Sequence, residues 1–177
     1  MNMLQMIGWL VLLTFVPGLE LRASVPFAML IQADAARAAL GLPLAVGVCL
    51  LANVLVGVLT FWLMGPVVML LRRWAWFERA VWPRFERTRH KLHPYVERYG
   101  ELGLAVFIGV PLPGTGAYTG AFGAYLLGMD KRKFLVANVA GVLIACAAVV
   151  ALCLLISHGV VAEDSLIRRL FTKQVGA

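Results

Sequence analysis

Between Met1 and Asp34 the only charged side chains are Glu20 and Arg22, and both sit in apolar sequence. An ionisable residue inside a bilayer costs about 2.5 to 3.5 kcal/mol on insertion scales, so each is first a candidate for function. A carboxylate could take up a proton, and a guanidinium could hold an anionic headgroup. The alternatives are a structural ion pair closing a turn, or an interfacial pair in a shallow segment. Two residues apart, they would not meet on a helix, but an unwound tip could bring them together or aim both at a ligand.

A second set lies in Gly109 to Gly128, GVPLPGTGAYTGAFGAYLLG. Pro111 and Pro113 lack an N–H, and Gly114 and Gly116 loosen the backbone, so a continuous helix would lose hydrogen bonds that lipid cannot replace. Gly114, Thr115 and Gly116 precede a helix expected to start near Ala117. Its free N–H groups and the Thr115 hydroxyl could bind an anion, or the same residues could simply make a tight turn. Tyr118, Thr119 and Tyr125 are candidates for lining the same cavity. Asn53 and Asn138 fall inside longer apolar runs and read first as interhelical hydrogen bonds worth about 0.6 to 2 kcal/mol, with substrate contact as a second role. Cys49, Cys146 and Cys153 stand in apolar runs without metal-ligand spacing, so neither a metal nor a cofactor is expected. No triad or phosphate loop is present, which argues against an enzyme.

The elements that must position these residues belong to a membrane. Of 177 residues 62% are hydrophobic and 14% charged, and the mean hydropathy is +0.87, outside the range of a soluble domain. The net charge of +7 does not point to nucleic acid, because the basic residues cluster between apolar blocks, as expected of loops facing anionic lipid. The apolar N-terminus has no Lys or Arg before Arg22 and reads as retained rather than cleaved. Met3 to Val16 gives about 21 Å of helix, short of the roughly 30 Å of a hydrocarbon core. A break at Pro17-Gly18 follows, and then a second arm, from Ala23 to Ala33. Residues 43–64 and 134–156 carry no charge and are each long enough for a full crossing. Residues 72–100 hold eight of the sixteen Lys and Arg side chains, with Trp74, Phe77, Val81 and Phe85 at helical spacing, and read as a basic amphipathic linker in the headgroup layer. His90 and His93 read as solvated. The tail, 157–177, is amphipathic.

The chain therefore reads as an all-α integral membrane protein in one domain, 1–177, built from two similar halves. In the first half (1–71), a re-entrant hairpin at 3–33 precedes the transmembrane helix 43–64. In the second (101–156), a hairpin at 101–128 precedes the helix 134–156. Val16-Pro17 and Val110-Pro111 recur at the breaks, and Ala-Asn-Val recurs at 52–54 and 137–139. If both broken segments leave on the side they entered, the bases of the linker and Lys131-Arg132-Lys133 share one face, which suits the cytoplasmic side of a bacterial inner membrane. The halves are then inverted, the hairpin tips meet near the midplane, and both chain ends lie outside the cytoplasm.

Glu20-Leu21-Arg22 ahead of Pro26, together with Pro111-Leu112-Pro113-Gly114-Thr115-Gly116-Ala117-Tyr118-Thr119-Gly120, resembles the paired signatures of the bacterial small multidrug export protein family, over roughly Leu13 to Leu155. That family is in turn similar to the DedA superfamily, whose opposed re-entrant hairpins and transport of undecaprenyl phosphate imply a membrane acid for proton coupling and arginines for a lipid phosphate. Glu20 and Arg22 match those roles. The chain departs from the DedA pattern at the second tip, where Gly114, Thr115 and Gly116 stand in place of arginines. The expected function is a flippase of an anionic amphiphile such as a polyprenyl-phosphate lipid. The alternatives are an exporter of cationic amphiphiles and a non-transporting scaffold; Arg22 beside Glu20 argues against the first, and the polar tips against the second. Expected partners are membrane lipid, an amphiphilic substrate and a second copy in a homodimer, since one protomer shields its tips poorly.

Overall fold

The computed structural model describes residues 2–31, 40–74, 79, 83, 100–112 and 115–157. All regular structure among them is helical. Helix α1 (Met3–Phe15) is followed by a break at 16–19, then by α2 (Glu20–Pro26), which runs on as a π-helical turn over Phe27–Ile31. Helix α3 spans Leu42–Leu71. After the linker come α4 (Gly100–Gly109), a second break, α5 (Ala117–Leu127) and α6 (Lys131–Ser157). Only α3 and α6 among the described helices are long and apolar enough to cross a bilayer, with mean hydropathies of 2.4 and 3.0.

Both long helices exceed their expected bounds. The sequence suggests an end for α3 near Met64, before Gly65-Pro66, yet the helix passes through Pro66 to Leu71. A proline removes one N–H and leaves the next turns free to continue, as the Arg72 N–H donating to Val68 O shows. At α6, three basic residues expected to lie outside the helix form its first turn. Asp130 starts it: its carboxylate accepts from Arg132 N–H and its carbonyl from Phe134 N–H.

The long helices run antiparallel. Phe61 stacks on Phe134 with ring centroids 4.3 Å apart, and Asn138 reaches Val54 further along, so the end of α3 and the start of α6 share one end of the molecule. Lys131 Nζ lies 5.6 Å from the Trp62 ring there. Arg72 and Arg73, about 15 Å past Trp62 along α3, and Lys131 to Lys133 therefore lie toward the same, basic end of the long helices. Most of the linker and the whole tail from residue 158 lie outside the described residues.

Each short pair folds back on itself. The Thr14 and Ser24 hydroxyls are 2.8 Å apart, which joins α1 to α2. Ile108 of α4, fully buried, fits the space left by Gly120 on α5 and Gly141 on α6. The core fills the space between the pairs and the long helices, with Met6, Leu10, Leu21 and Val25 packed alongside Cys49, Val56, Val142 and Val149. The three cysteines are buried free thiols within it or beside it.

A methyl group at Gly141 would stand 2.8 Å from Ala105 O, a backbone atom that cannot rotate away. Gly141→Ala is expected to cost about 1 to 3 kcal/mol through overpacking. Gly47→Ala, where a methyl meets nothing within 4 Å, is the matched control. Thermal unfolding in detergent should therefore separate the two variants, with only the first melting earlier.

Candidate functional site

A helix broken inside an apolar layer leaves N–H groups at one end and carbonyls at the other with no partners, and lipid supplies none. Across the two breaks each hairpin satisfies the other. Glu20, 5% exposed, accepts hydrogen bonds from the N–H groups of Ala117 (3.0 Å to Oε2) and Tyr118 (3.2 Å to Oε1), the first residues of α5. Arg22, 4% exposed, donates through Nη2 to Thr115 Oγ1 at 2.7 Å and to Val110 O at 3.3 Å, just past the last turn of α4. Tyr118 returns the contact, its hydroxyl donating to Phe15 O at the end of α1, 2.6 Å away. An anion therefore sits at a helix N-terminus and a cation at a helix C-terminus, each in the favourable sense of the helix dipole.

Glu20 and Arg22 correct the sequence reading in one respect. They stand in the first turn of α2, not in an unwound tip, and among the described residues they form no direct ion pair. Two positions apart on a helix, their side chains diverge, one toward the start of α5 and the other toward the end of α4. Glu20 also holds a left-handed backbone with φ of +48°, unusual for a residue with a side chain and worth roughly 1 to 3 kcal/mol of strain. Its two bonds across to α5 hold it there.

The second tip is shaped around that carboxylate. Gly116 has φ of +134°, and a methyl there would lie 2.5 Å from Glu20 Oε2, so only glycine lets the backbone come this close. The Thr115 hydroxyl, with one proton, lies 2.6 Å from Val110 O and 2.8 Å from Leu112 O while accepting from Arg22. Pro111 is in the break itself, and Pro113 and Gly114 lie outside the described residues. On the first hairpin, Ser24 Oγ donates to Glu20 O at 3.2 Å and meets Thr14, a polar thread that sequence reasoning missed. Two hydroxyls ten residues apart on either side of a Pro-Gly break were its available signal.

The remaining candidates lie elsewhere. Asn138 Nδ2 donates to Val54 O at 3.1 Å, which ties α6 to α3, and its amide presses against Gly57. The buried Oδ1 atoms of Asn53 and Asn138 have no hydrogen-bond partner among the described residues. Tyr125 packs edge-on to Phe61 with centroids 6.0 Å apart, near Gly65 and away from the tips. Thr119 points along α5 into a space between α4 and α5.

Apolar helices enclosing two buried charges and two mutually capped breaks define an integral membrane protein with a polar centre. Residues 20–148 match the family described as "Putative small multi-drug export protein", and the chain belongs to that family. The match begins at Glu20, just past the first break, and contains the second tip. No curated protein and no solved structure matches the chain.

Thr115→Val keeps the shape of the tip but leaves the guanidinium one acceptor short. It is expected to cost about 1.5 to 3 kcal/mol in thermal unfolding, and Thr115→Ser should restore most of that loss.

Proposed function

We propose that the chain is a transporter of an anionic amphiphile, a flippase for a lipid of the polyprenyl-phosphate kind, built on a DedA-like plan. The observation that carries this reading is the Arg22 guanidinium. It is buried at the meeting point of two helix breaks, and among the described residues its hydrogen-bond partners are a hydroxyl and a carbonyl. A guanidinium prefers a bidentate anionic partner, and a phosphate headgroup would supply one beside the N–H groups of Ala117 and Tyr118. Glu20 accepts hydrogen bonds from both of those N–H groups. Proton uptake by Glu20 would free them for the headgroup and relax its left-handed backbone, which couples a proton to the substrate at a single residue.

In this account each broken pair is a re-entrant hairpin. Residues 3–33 enter from the face opposite the basic end and residues 101–128 from the basic end, with 43–64 and 134–156 as the spanning portions of the long helices. One hairpin with one long helix is the inverted repeat of the other. The basic end faces the cytoplasm of a bacterial inner membrane, and both chain ends lie on the other side. The antiparallel long helices and the gathering of Arg72, Arg73 and Lys131 to Lys133 support that orientation. A second copy would shield the tips as a homodimer.

The family description favours a second reading, export of a cationic amphiphile captured by Glu20. Both Glu20 oxygens already accept N–H bonds, so a cation would have to compete with a helix N-terminus for them. Arg22 close by opposes it further.

The two readings separate in liposomes that contain the purified protein, with flux of a polyprenyl phosphate and of a cationic dye compared with and without a proton gradient. Arg22→Ala is expected to lower phosphate-lipid flux about tenfold or more, and Glu20→Gln to abolish its response to the gradient. Flux unchanged in both variants overturns the site. Dye flux that needs Glu20 but not Arg22 establishes the cationic exporter instead.

A further inference from the structure

Between α4 and α5 lies a cavity of about 330 Å³ with apolar walls. Gly103, Leu104 and Phe107 of α4 face Gly120, Gly123 and Leu127 of α5 across it. Its inner end is Thr119, whose hydroxyl is turned back to Gly116 O at 3.3 Å, so that the side chain offers its methyl to the cavity. Thr119 is one turn past Thr115 and adjacent to Tyr118, so the groove ends about one turn of α5 from the tip that Arg22 reaches. Its outer end, at Leu127 and Met129, is the basic end that holds Lys131 to Lys133. Eight residues of helix separate the ends, about 12 Å.

From this placement, between the tip and the basic residues after Met129, we propose that the groove seats a single hydrocarbon chain of the anionic amphiphile while its headgroup occupies the tip. The proposal rests on the headgroup reading given above and adds the path of the tail. Charge is complementary at both ends: Lys131 to Lys133 follow Met129 at the outer end, Arg22 lies at the neighbouring tip, and the walls between are apolar. A second copy of the chain fits less well. A helix about 10 Å across would displace roughly 900 Å³ over the same 12 Å, more than the roughly 680 Å³ of empty space in the groove, whereas a lone alkyl chain is thin enough to lie between the two arms. Apolarity alone gives little preference for a groove over lipid, so the groove acts through its shape, by keeping one tail aligned with the tip as the headgroup leaves the leaflet.

The walls provide their own test. A methyl group built at Gly103 or Gly123 meets nothing within 4 Å and both residues line the groove, so Gly103→Leu and Gly123→Leu start their side chains in open space and take up groove volume. Gly120 is unsuitable, because Ile108 already occupies its space. The probe is an alkyl phosphate with a diazirine at the end of its chain, irradiated with the full-length protein in liposomes, and the labelled residues are mapped by mass spectrometry. Label is expected on Leu104, Phe107 or Leu127, reduced several-fold in both leucine variants and retained in Gly47→Leu. Label spread over the outward side chains of α3 and α6, or undiminished in the filled variants, overturns the proposal. So does a disulfide-linked dimer formed through Gly123→Cys in a chain lacking the three native thiols, since a second copy would then occupy the groove. An alkyl alcohol with the same tail, and Arg22→Ala, distinguish the two readings. Groove labelling that is equal for phosphate and alcohol and indifferent to Arg22 leaves the tail seat standing and removes the headgroup site.

Discussion

The structure depends on how a chain can break a helix inside an apolar layer without leaving backbone groups unpaired. Its answer is an exchange between two breaks. A carboxylate from one covers the N–H groups of the other, a guanidinium covers the opposite carbonyl end, and a tyrosine hydroxyl covers the first break in return. None of these bonds would amount to much in water. In lipid each replaces a partner the backbone would otherwise lack, and the alternative costs several kcal/mol per group. Gly116 is required because the carboxylate comes so close, and Glu20 accepts a strained backbone because that strain places it there.

This exchange also explains why function and architecture are hard to separate at the tips. The groups that would hold an anionic headgroup, Arg22, Thr115 and the first N–H groups of α5, are the same groups that hold the hairpins together. A ligand that binds them must therefore loosen the contact between the halves. Under the proposed transport reading, that loosening is the movement alternating access requires. The polar tips are thus better understood as a latch than as an open pocket.

Much of this was legible in the chain. Prolines and glycines in apolar runs marked both breaks, because helix propensity and hydrogen bonding fail there for local reasons. The uncharged runs marked both long helices, and the cost of burying charge singled out Glu20 and Arg22. What stayed hidden was relational. No local feature of Glu20 says that its partners are the N–H groups of residues 117 and 118, nor that Arg22 turns the other way, because those facts depend on two segments almost a hundred residues apart meeting in space. The end of α3 was hidden for the opposite reason: an uncharged run long enough to cross is complete near Met64, but in an apolar layer continuing the helix through Pro66 costs one bond and stopping would cost more. Asp130, a single acid before three bases, was a helix cap hidden by the charge around it.

The central claim is that the Glu20 carboxylate caps α5 across the meeting of the tips. Solid-state NMR on the protein in lipid bilayers, with ¹³C at the Glu20 carboxyl carbon and ¹⁵N at the Ala117 amide, measures that contact directly through their dipolar coupling. The account predicts a strong coupling and a carbon-to-nitrogen distance of about 4 Å, consistent with the 3.0 Å hydrogen bond. No measurable coupling between the two labels would contradict it, because the broken ends would then have to find their partners elsewhere.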